Sequence, residues 1–418
     1  MPFNGFTSKN LHSDRIGNDA LGTPEHGALH KPIHNSVAFG YEKTADLCEV
    51  FQNKQFGFAY GRQANPTVNA LENKVAQMEN GIGAICFSSG MAAIGALLQS
   101  LLDTGDHLIC SQFIFGNTNS QMLTFKRLGI EVDFADPTDV QNVKSLIKSN
   151  TRLVFVETIA NPMTQIADLK KIGELCHAHN LLYVVDSTLT TPYLFQAKSV
   201  QAGLVIHALT KYIGGHGNAL AGAIVDTGLY DWTQYPGILE LYKQGPSQKW
   251  GLLQLKKKAL RDFGAALAPD SAHLISIGSD TLALRMDRAC SNAQQLAEFL
   301  NAHPLIQKVF YPGLKDHPQH KLSQELFKSH GALMSFELVE SIDPLEFLDH
   351  LKIVIASSNL GDTRTLGIPV AHTIYYEMGA ERRKSMGISD GFIRLSIGIE
   401  DYADLEESFS YALAQYSK

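Results

Sequence analysis

The chain has 418 residues, 44% of them hydrophobic and 18% charged, a globular composition that excludes an intrinsically disordered chain. At about 150 residues per domain, the length predicts two or three domains. With 35 Lys and Arg against 42 Asp and Glu, the formal charge is -7, so the general basic footprint of a nucleic-acid binder is missing.

The opening residues have no charged start followed by an apolar stretch, which predicts no secretory leader. Residues 1–60 are loop-like, rich in Gly, Pro, His and Asn, with weak helical periodicity around Thr44–Phe51. Such a segment is often an arm lying on another surface. From residue 67 the texture changes, and Val68, Leu71, Val75 and Met78 recur at helical spacing. Short apolar runs then alternate with helical stretches: Ala84–Phe87, His107–Cys110, Ile130–Phe134, Leu153–Glu157, Leu182–Asp186, Leu204–His207 and Gly222–Val225. This alternation predicts an α/β fold, a largely parallel sheet covered by helices on both faces. The least polar long stretch, Ala84–Leu102, is interrupted by Ser88, Ser89, Gln99 and Ser100 and reads as a buried helix, not a membrane span.

Residues 227–270 read as irregular, punctuated by Pro236, Gly237, Gly245, Pro246, Gly264 and Pro269. A long helical pattern follows from Leu282 to Leu300. Strand-like segments at Gly331–Leu338, Lys352–Ala356 and Phe392–Ser396 predict a second, smaller α+β domain. The cysteines Cys48, Cys86, Cys110, Cys176 and Cys290 are odd in number and scattered, which argues for a reducing, cytoplasmic setting over a disulfide framework. Cys176-His177-Ala178-His179 lacks a second ligand pair and reads as a helix end, so no metal is expected. Lys256-Lys257-Lys258 reads as a solvated helix face.

Four features carry chemistry. Phe87-Ser88-Ser89-Gly90-Met91-Ala92 ends a strand in small residues and begins a helix, whose free N–H groups form an anion site that Gly90 lets a phosphate approach. An ordinary capped turn has the same look. Asp186 ends an apolar run, where open α/β sheets bind ligands; it suits either a helix cap or an ion pair with a cationic ring nitrogen. In Thr210-Lys211-Tyr212-Ile213-Gly214-Gly215-His216-Gly217 a single lysine sits among closely packing residues. Partial desolvation there would lower its pKa and make it a nucleophile or base. Arg394, inside the strand pattern Ile393-Arg394-Leu395-Ser396, suits a substrate carboxylate or a structural ion pair. Together these four match what pyridoxal phosphate requires: a phosphate cradle, a carboxylate for its ring nitrogen, a Schiff-base lysine and an anchor for an amino acid.

Several motifs stand in one order: Tyr60-Gly61-Arg62 with Asn65-Pro66-Thr67, Ser89-Gly90-Met91, Glu157-Thr158 with Asn161-Pro162, Asp186-Ser187-Thr188, Thr210-Lys211-Tyr212 with Gly215-His216-Gly217, Tyr311-Pro312-Gly313-Leu314, and Arg394-Leu395-Ser396. On these the chain resembles the Cys/Met-metabolism family of pyridoxal-phosphate enzymes from about Pro32 to beyond Asp401. That family includes cystathionine γ-synthase, cystathionine lyases, O-acylhomoserine sulfhydrylases and methionine γ-lyase.

The resemblance implies an aspartate-aminotransferase-like fold of type I, with a large, mostly parallel seven-stranded sheet domain and a smaller C-terminal α+β domain. It implies an arm over 1–62 reaching a neighbouring subunit, a cofactor domain over 63–265 and a C-terminal domain over 266–418. It further implies a homotetramer made of two active dimers, with no nucleic-acid or membrane partner. By the same resemblance Lys211 is the Schiff-base lysine and later proton shuttle, and Asp186 partners the ring nitrogen. Gly90, Met91 and Thr210 hold the phosphate, Asn161 the ring hydroxyl and Arg394 the substrate carboxylate. Tyr60 and Arg62 reach the neighbour's phosphate site.

The chain departs from the family at three places. Phe115 replaces the tyrosine stacked on the cofactor, keeping a π face but losing a phenol. Ala208 replaces a phosphate-binding serine, and Asn218 an aspartate. Ser358-Asn359-Leu360-Gly361-Asp362 resembles the O-acetylhomoserine sulfhydrylases, with Ser358 where cystathionine enzymes carry Glu. Asn359 and Leu360 are therefore expected at the substrate. The expected reaction is γ-replacement on an O-acylhomoserine by sulfide or a small thiol. The alternatives are γ-elimination and, more distantly, a non-catalytic relative.

Overall fold

Each apolar run that alternates with a helix becomes a strand of one sheet. The strands are β1 Gly83–Phe87, β2 His107–Ser111, β3 Glu131–Ala135, β4 Thr151–Glu157, β5 Leu182–Asp186, β6 Leu204–His207 and β7 Gly222–Asp226. The computed structural model describes residues 4–13, 25–385 and 387–416; residues 1–3 and 14–24 of the expected arm lie outside the described residues. Strand order is β1-β7-β6-β5-β4-β2-β3. Strands β2 to β6 pair in parallel, and β7 runs antiparallel to both β1 and β6. The expected mostly parallel, seven-stranded sheet is therefore present.

Side chains alternate between two cores, because successive residues of a strand point to opposite faces. Leu153 and Phe155 of β4, Leu182 and Val184 of β5, and Leu204 and Ile206 of β6 join the core that also holds Ile94, Leu97 and Leu98 of the helix Gly90–Leu101. Val154, Val156, Tyr183, Val185 and Val205 join the opposite core with Leu71 and Val75 of the helix Pro66–Met78 and Ile172 of the helix Leu169–Ala178. Burial on both faces is why these strands read as continuous apolar runs.

A second sheet comprises β8 Ile306–Phe310, β9 Leu333–Leu338, β10 Ile355–Ala356, β11 Leu366–Pro369 and β12 Phe392–Ser396, in the order β10-β11-β12-β9-β8. The helices Leu282–Asn301, Pro344–His350 and Tyr402–Ala414 share its core. Two of its strands escape the sequence pattern. Ile306–Phe310 has only five residues with Gln307 and Lys308 exposed, and Leu366–Pro369 contains Gly367 and ends in proline.

Other expectations are corrected. Ala84–Leu102 is a strand followed by a separate helix, broken at Ser88-Ser89, where Ser89 caps the helix. Within 227–270, expected to be irregular, a helix runs from Trp250 to Leu255 and continues as a wider π-helical turn over Lys256–Phe263. Its buried face of Gln254, Leu255, Ala259 and Leu260 outweighs the surrounding proline and glycine punctuation. Lys256, Lys257 and Lys258 are half-buried on it, not fully solvated. Within residues 1–60, expected to be loop-like, the described segments hold a helix at Phe6–His12, and the weak periodicity at Thr44–Phe51 is a helix as read. No helix among the described residues is long and apolar enough to cross a membrane.

The helix Pro269–Ser279 presses Gly278 directly on the segment that carries Lys211. A Cβ at Gly278 would stand 2.1 Å from the Gly214 carbonyl oxygen. Gly278→Ala is therefore expected to destabilise the fold by about 1–3 kcal/mol, the usual range for overpacking. Urea unfolding measures this, and an unchanged midpoint would mean the helix and loop can separate freely.

Candidate active site

The site lies where β4, β5 and β6 end together. Glu157 continues the alternation of Leu153 and Phe155, and Asp186 that of Leu182 and Val184. Both carboxylates therefore turn to the face of the helix Gly90–Leu101, and they are register partners across β4 and β5. His207, the last residue of β6, follows Val205 to the other face, where its Nε2 lies 2.6 Å from Glu79 Oε1.

A cavity of about 340 Å³ opens at this edge and is lined by Glu157, Asp186, Lys211 and Arg394 together with Gly90, Met91, Phe115, Asn161, Thr210, Ser358 and Leu360. Asp186 Oδ1 accepts the Thr188 N–H at 3.0 Å. Burial raises the Asp186 pKa, while hydrogen bonds from Thr188 and the nearby His207 pull it back. Glu157 Oε1 accepts the Phe115 N–H at 2.8 Å. Burial first, and the Asp186 charge second, push Glu157 up to about 8.

At the head of the helix Gly90–Leu101, Ser89 Oγ accepts the Ala92 N–H at 3.0 Å, and the Ala93 N–H reaches the Ser89 carbonyl at 3.1 Å. Gly90 and Met91, which precede these bonds in the first turn, line the cavity, and a helix N-terminus is a position that favours an anion. Gly90 also has a packing reason: a Cβ there would stand 2.8 Å from the Ala208 Cβ. The Thr210 hydroxyl donates to the Ala221 carbonyl at 3.2 Å and accepts the Ala221 N–H at 3.0 Å, so it is engaged with backbone.

Lys211 Nζ donates to Asn359 Oδ1 at 2.6 Å. Its pKa is lowered to about 8, by burial first and by the Arg394 charge second. Arg285 holds this segment from behind. Its guanidinium donates to the carbonyls of Tyr212 at 2.6 Å, Ile213 at 3.1 Å and Gly278 at 2.7 Å. Gly215, at φ +74, passes so close that a Cβ would collide with that guanidinium.

Arg394, on β12, is 2% exposed. It donates to the Ser358 and Asn359 carbonyls, both at 3.0 Å, and its buried Nε has no partner. Burial lowers its pKa to about 10. It makes no salt bridge among the described residues, which leaves the structural ion pair without an acid. Asn161 Oδ1 is likewise buried without a partner, and its carbonyl accepts the Tyr375 hydroxyl at 3.3 Å.

Most residues singled out in the sequence thus converge on one cavity. Asn359 meets Lys211 instead of lining the cavity wall. Tyr60 and Arg62 stand apart from it: Arg62 lies over the Tyr60 ring, 5.2 Å from its centroid, and donates to the Arg261 carbonyl. The roles of Glu157, Thr188 and Arg285 were missed. Glu157 carries the same signal as Asp186, an acid at the end of an apolar run. Arg285 sits in a helix that shows no sign of its partners.

Residues 15–414 match the family described as Cys/Met metabolism PLP-dependent enzyme. The chain is 36% identical over 384 residues to L-methionine gamma-lyase of Fusobacterium nucleatum subsp. polymorphum, covering 91% of this chain and 92% of that one. It is 33% identical over 431 residues to O-acetyl-L-homoserine sulfhydrylase of Corynebacterium glutamicum, covering 97% of each. A putative O-acetylhomoserine (thiol)-lyase of Campylobacter jejuni, solved with pyridoxyl-lysine monophosphate, superposes with a TM-score of 0.91 at 30% identity. That alignment covers 99% of this chain and 100% of the solved one.

In cofactor-free protein, acylation of Lys211 is expected to level off above about pH 8, while surface lysines continue to gain reactivity. Arg394→Met removes a repelling cation and should move the Lys211 midpoint upward. Peptide mapping after acylation across pH measures both. An unmoved midpoint would assign the whole shift to burial.

Proposed function

Since the chain belongs to the Cys/Met metabolism PLP-dependent enzyme family, we propose that it performs γ-replacement on an O-acylhomoserine, with sulfide or a small thiol as nucleophile. Pyridoxal phosphate is the cofactor of the family, and the cavity residues fit it. The unpartnered Asn161 Oδ1 and Arg394 Nε, the helix N–H groups and the depressed Lys211 amine are polar capacities that a bound group would satisfy. When bound, the cofactor would supply an electron sink that stabilises negative charge at the α and then the β carbon, so that the group on the γ carbon can leave.

The chain's own residues do the rest. Gly90 and Met91 hold the phosphate at the helix N-terminus. Asp186 keeps the ring nitrogen protonated, and Asn161 takes the ring hydroxyl. Arg394 clamps the α-carboxylate with its unfilled guanidinium edge. Lys211, drawn toward Asn359 when its amine is free, removes the α proton and then a β proton. Phe115 offers its ring as a stacking surface.

The observation that carries the reaction class is Ser358. It lines the cavity beside Leu360, and the cavity's acids, Glu157 and Asp186, both sit at the sheet edge. At this position of the cavity wall Ser358 offers a distal ammonium such as that of cystathionine no carboxylate, whereas an uncharged acyl ester suits it. The second reading is γ-elimination, favoured by the 36% identity to a methionine γ-lyase. The same residues serve both, and the outcome depends on whether thiol addition beats release.

An assay across O-acetylhomoserine, O-succinylhomoserine, cystathionine and methionine, with and without sulfide, separates the readings. O-acetylhomoserine turnover that requires sulfide and yields a thiol amino acid is expected. Keto-acid release from methionine without sulfide would instead support elimination.

The arm and its end residues lead to a shared-site proposal. Arg62 lies outside the cavity of its own chain, so its guanidinium serves the phosphate of a partner subunit in a two-fold dimer. Arg62→Ala and Lys211→Ala chains, each inactive alone, should recover about a quarter of wild-type activity when subunits exchange at random. No recovery despite verified exchange would place Arg62 in its own chain's site.

A further inference from the structure

Glu157 remains outside the roles assigned above, yet it shares the cavity with Asp186. The two are register partners at the ends of adjacent parallel strands and project to the same face. Neighbouring strands lie about 4.8 Å apart, so two charges here would repel strongly in a poorly solvated site. Carboxylates this close titrate as a pair, with the loss of one proton delayed to higher pH.

The hydrogen bonds decide which member holds it. Asp186 receives the Thr188 N–H at 3.0 Å, is further supported by the Thr188 hydroxyl, and lies near His207. Glu157 receives the Phe115 N–H alone, through Oε1. Lys211 and Arg394 line the same cavity but do not offset the rise at Glu157, whose causes are burial and the Asp186 charge; the Cys110 thiol from β2 and the Tyr375 phenol also face Glu157. Cys110 is pushed well above its ordinary range and Tyr375 up to about 12, so both are neutral and supply no positive charge.

We propose that Glu157 is the protonated member of a carboxyl pair, and that its neutrality lets Asp186 remain ionised toward the cofactor ring. Glu157 is then a positioning residue that acts through Asp186. Its Oε1 accepts from Phe115, and its Oε2 carries the proton. Ionisation of Glu157 releases that proton to solvent and sets a second negative charge beside Asp186. The inference rests on the assignment of Asp186 to the ring nitrogen, made under the proposed function.

The test is infrared spectroscopy of the full chain labelled with ¹³C-glutamate, with and without cofactor. A protonated glutamate carboxyl band is expected at neutral pH, and it should fade as pH rises through about 8. Glu157→Gln, which keeps the shape and the acceptor for Phe115, should abolish the band and the alkaline step. Asp186→Asn removes the repelling charge and should lower the proton affinity of Glu157 by about tenfold or more. A glutamate role that is only structural would leave the pH step unmoved in both variants.

Absence of a neutral glutamate band in the wild type, or its survival in Glu157→Gln, overturns the proposal. So does an unshifted midpoint in Asp186→Asn. The Asp186 assignment fails separately. If the pair titrates as stated but Asp186→Asn keeps the visible spectrum and cofactor affinity of wild type, the pair stands and Asp186 does not serve the ring nitrogen.

Discussion

A strand buried on both faces can carry a charge at low cost only where it ends. Within β4 and β5 every residue from 153 to 156 and from 182 to 185 falls into one of two apolar cores. An acid at any of those positions would be stranded without solvent or counter-ion. The carboxyl ends are different, because the parallel strands stop together and leave a crevice. Alternation then selects the face. Glu157 and Asp186 share the parity that points to the helix Gly90–Leu101, whose N-terminus opens on the same cavity. His207, of opposite parity, is not among the residues lining the cavity, and its Nε2 meets Glu79 Oε1 inside the other core.

Three cations at and behind the site obey a different rule. Lys211, Arg285 and Arg394 are buried or nearly so, yet their hydrogen bonds go to carbonyls, a carboxamide and a hydroxyl, not to carboxylates. Carbonyl dipoles solvate a cation without cancelling its charge. Arg394 can therefore still lower the pKa of Lys211, and it keeps its appetite for an anion. Arg285 and Arg394 part company at this point. Arg285 has filled its fork with Tyr212, Ile213, Gly278 and Thr281, and it rivets the lysine segment. Arg394 has an empty Nε and faces the cavity. Burial alone does not separate a structural arginine from a binding one; unfilled donors do.

The sheet was legible because its strands are continuous apolar runs and its site residues lie at their ends. Leu182–Asp186 and Leu204–His207 could be read to the residue. Lys211, Asp186 and Arg394 could be named because a charge in an apolar setting is conspicuous in one dimension. Glu157 was equally conspicuous, but its meaning depends on pairing with β5, and register is a property of the sheet. The strands β8 and β11 were hidden for a related reason: their exposed or glycine-containing patterns become strands only through neighbours on β9 and β12. Arg285 and Asn359 act across 73 and 148 residues, distances at which no local pattern reports a contact.

The departures at Phe115 and Ala208 acquire a definite meaning in this frame. Glu157 grips the backbone N–H of Phe115, not its side chain, so exchange of a phenol for a phenyl leaves that contact intact. Ala208 is held in the same way: its N–H donates to Thr188 Oγ1 at 2.8 Å, and Thr188 in turn supports Asp186. Both positions are fixed by the main chain to the two acids at the sheet edge. The loss of two hydroxyl groups that the family resemblance implies at these positions therefore leaves these main-chain contacts in place. A decayed site would be expected to lose the charged groups, which are costly to keep buried, before the neutral hydroxyls. Here Lys211, Asp186 and Arg394 line one cavity with unfilled or perturbed polar groups, the pattern in which functional sites are found.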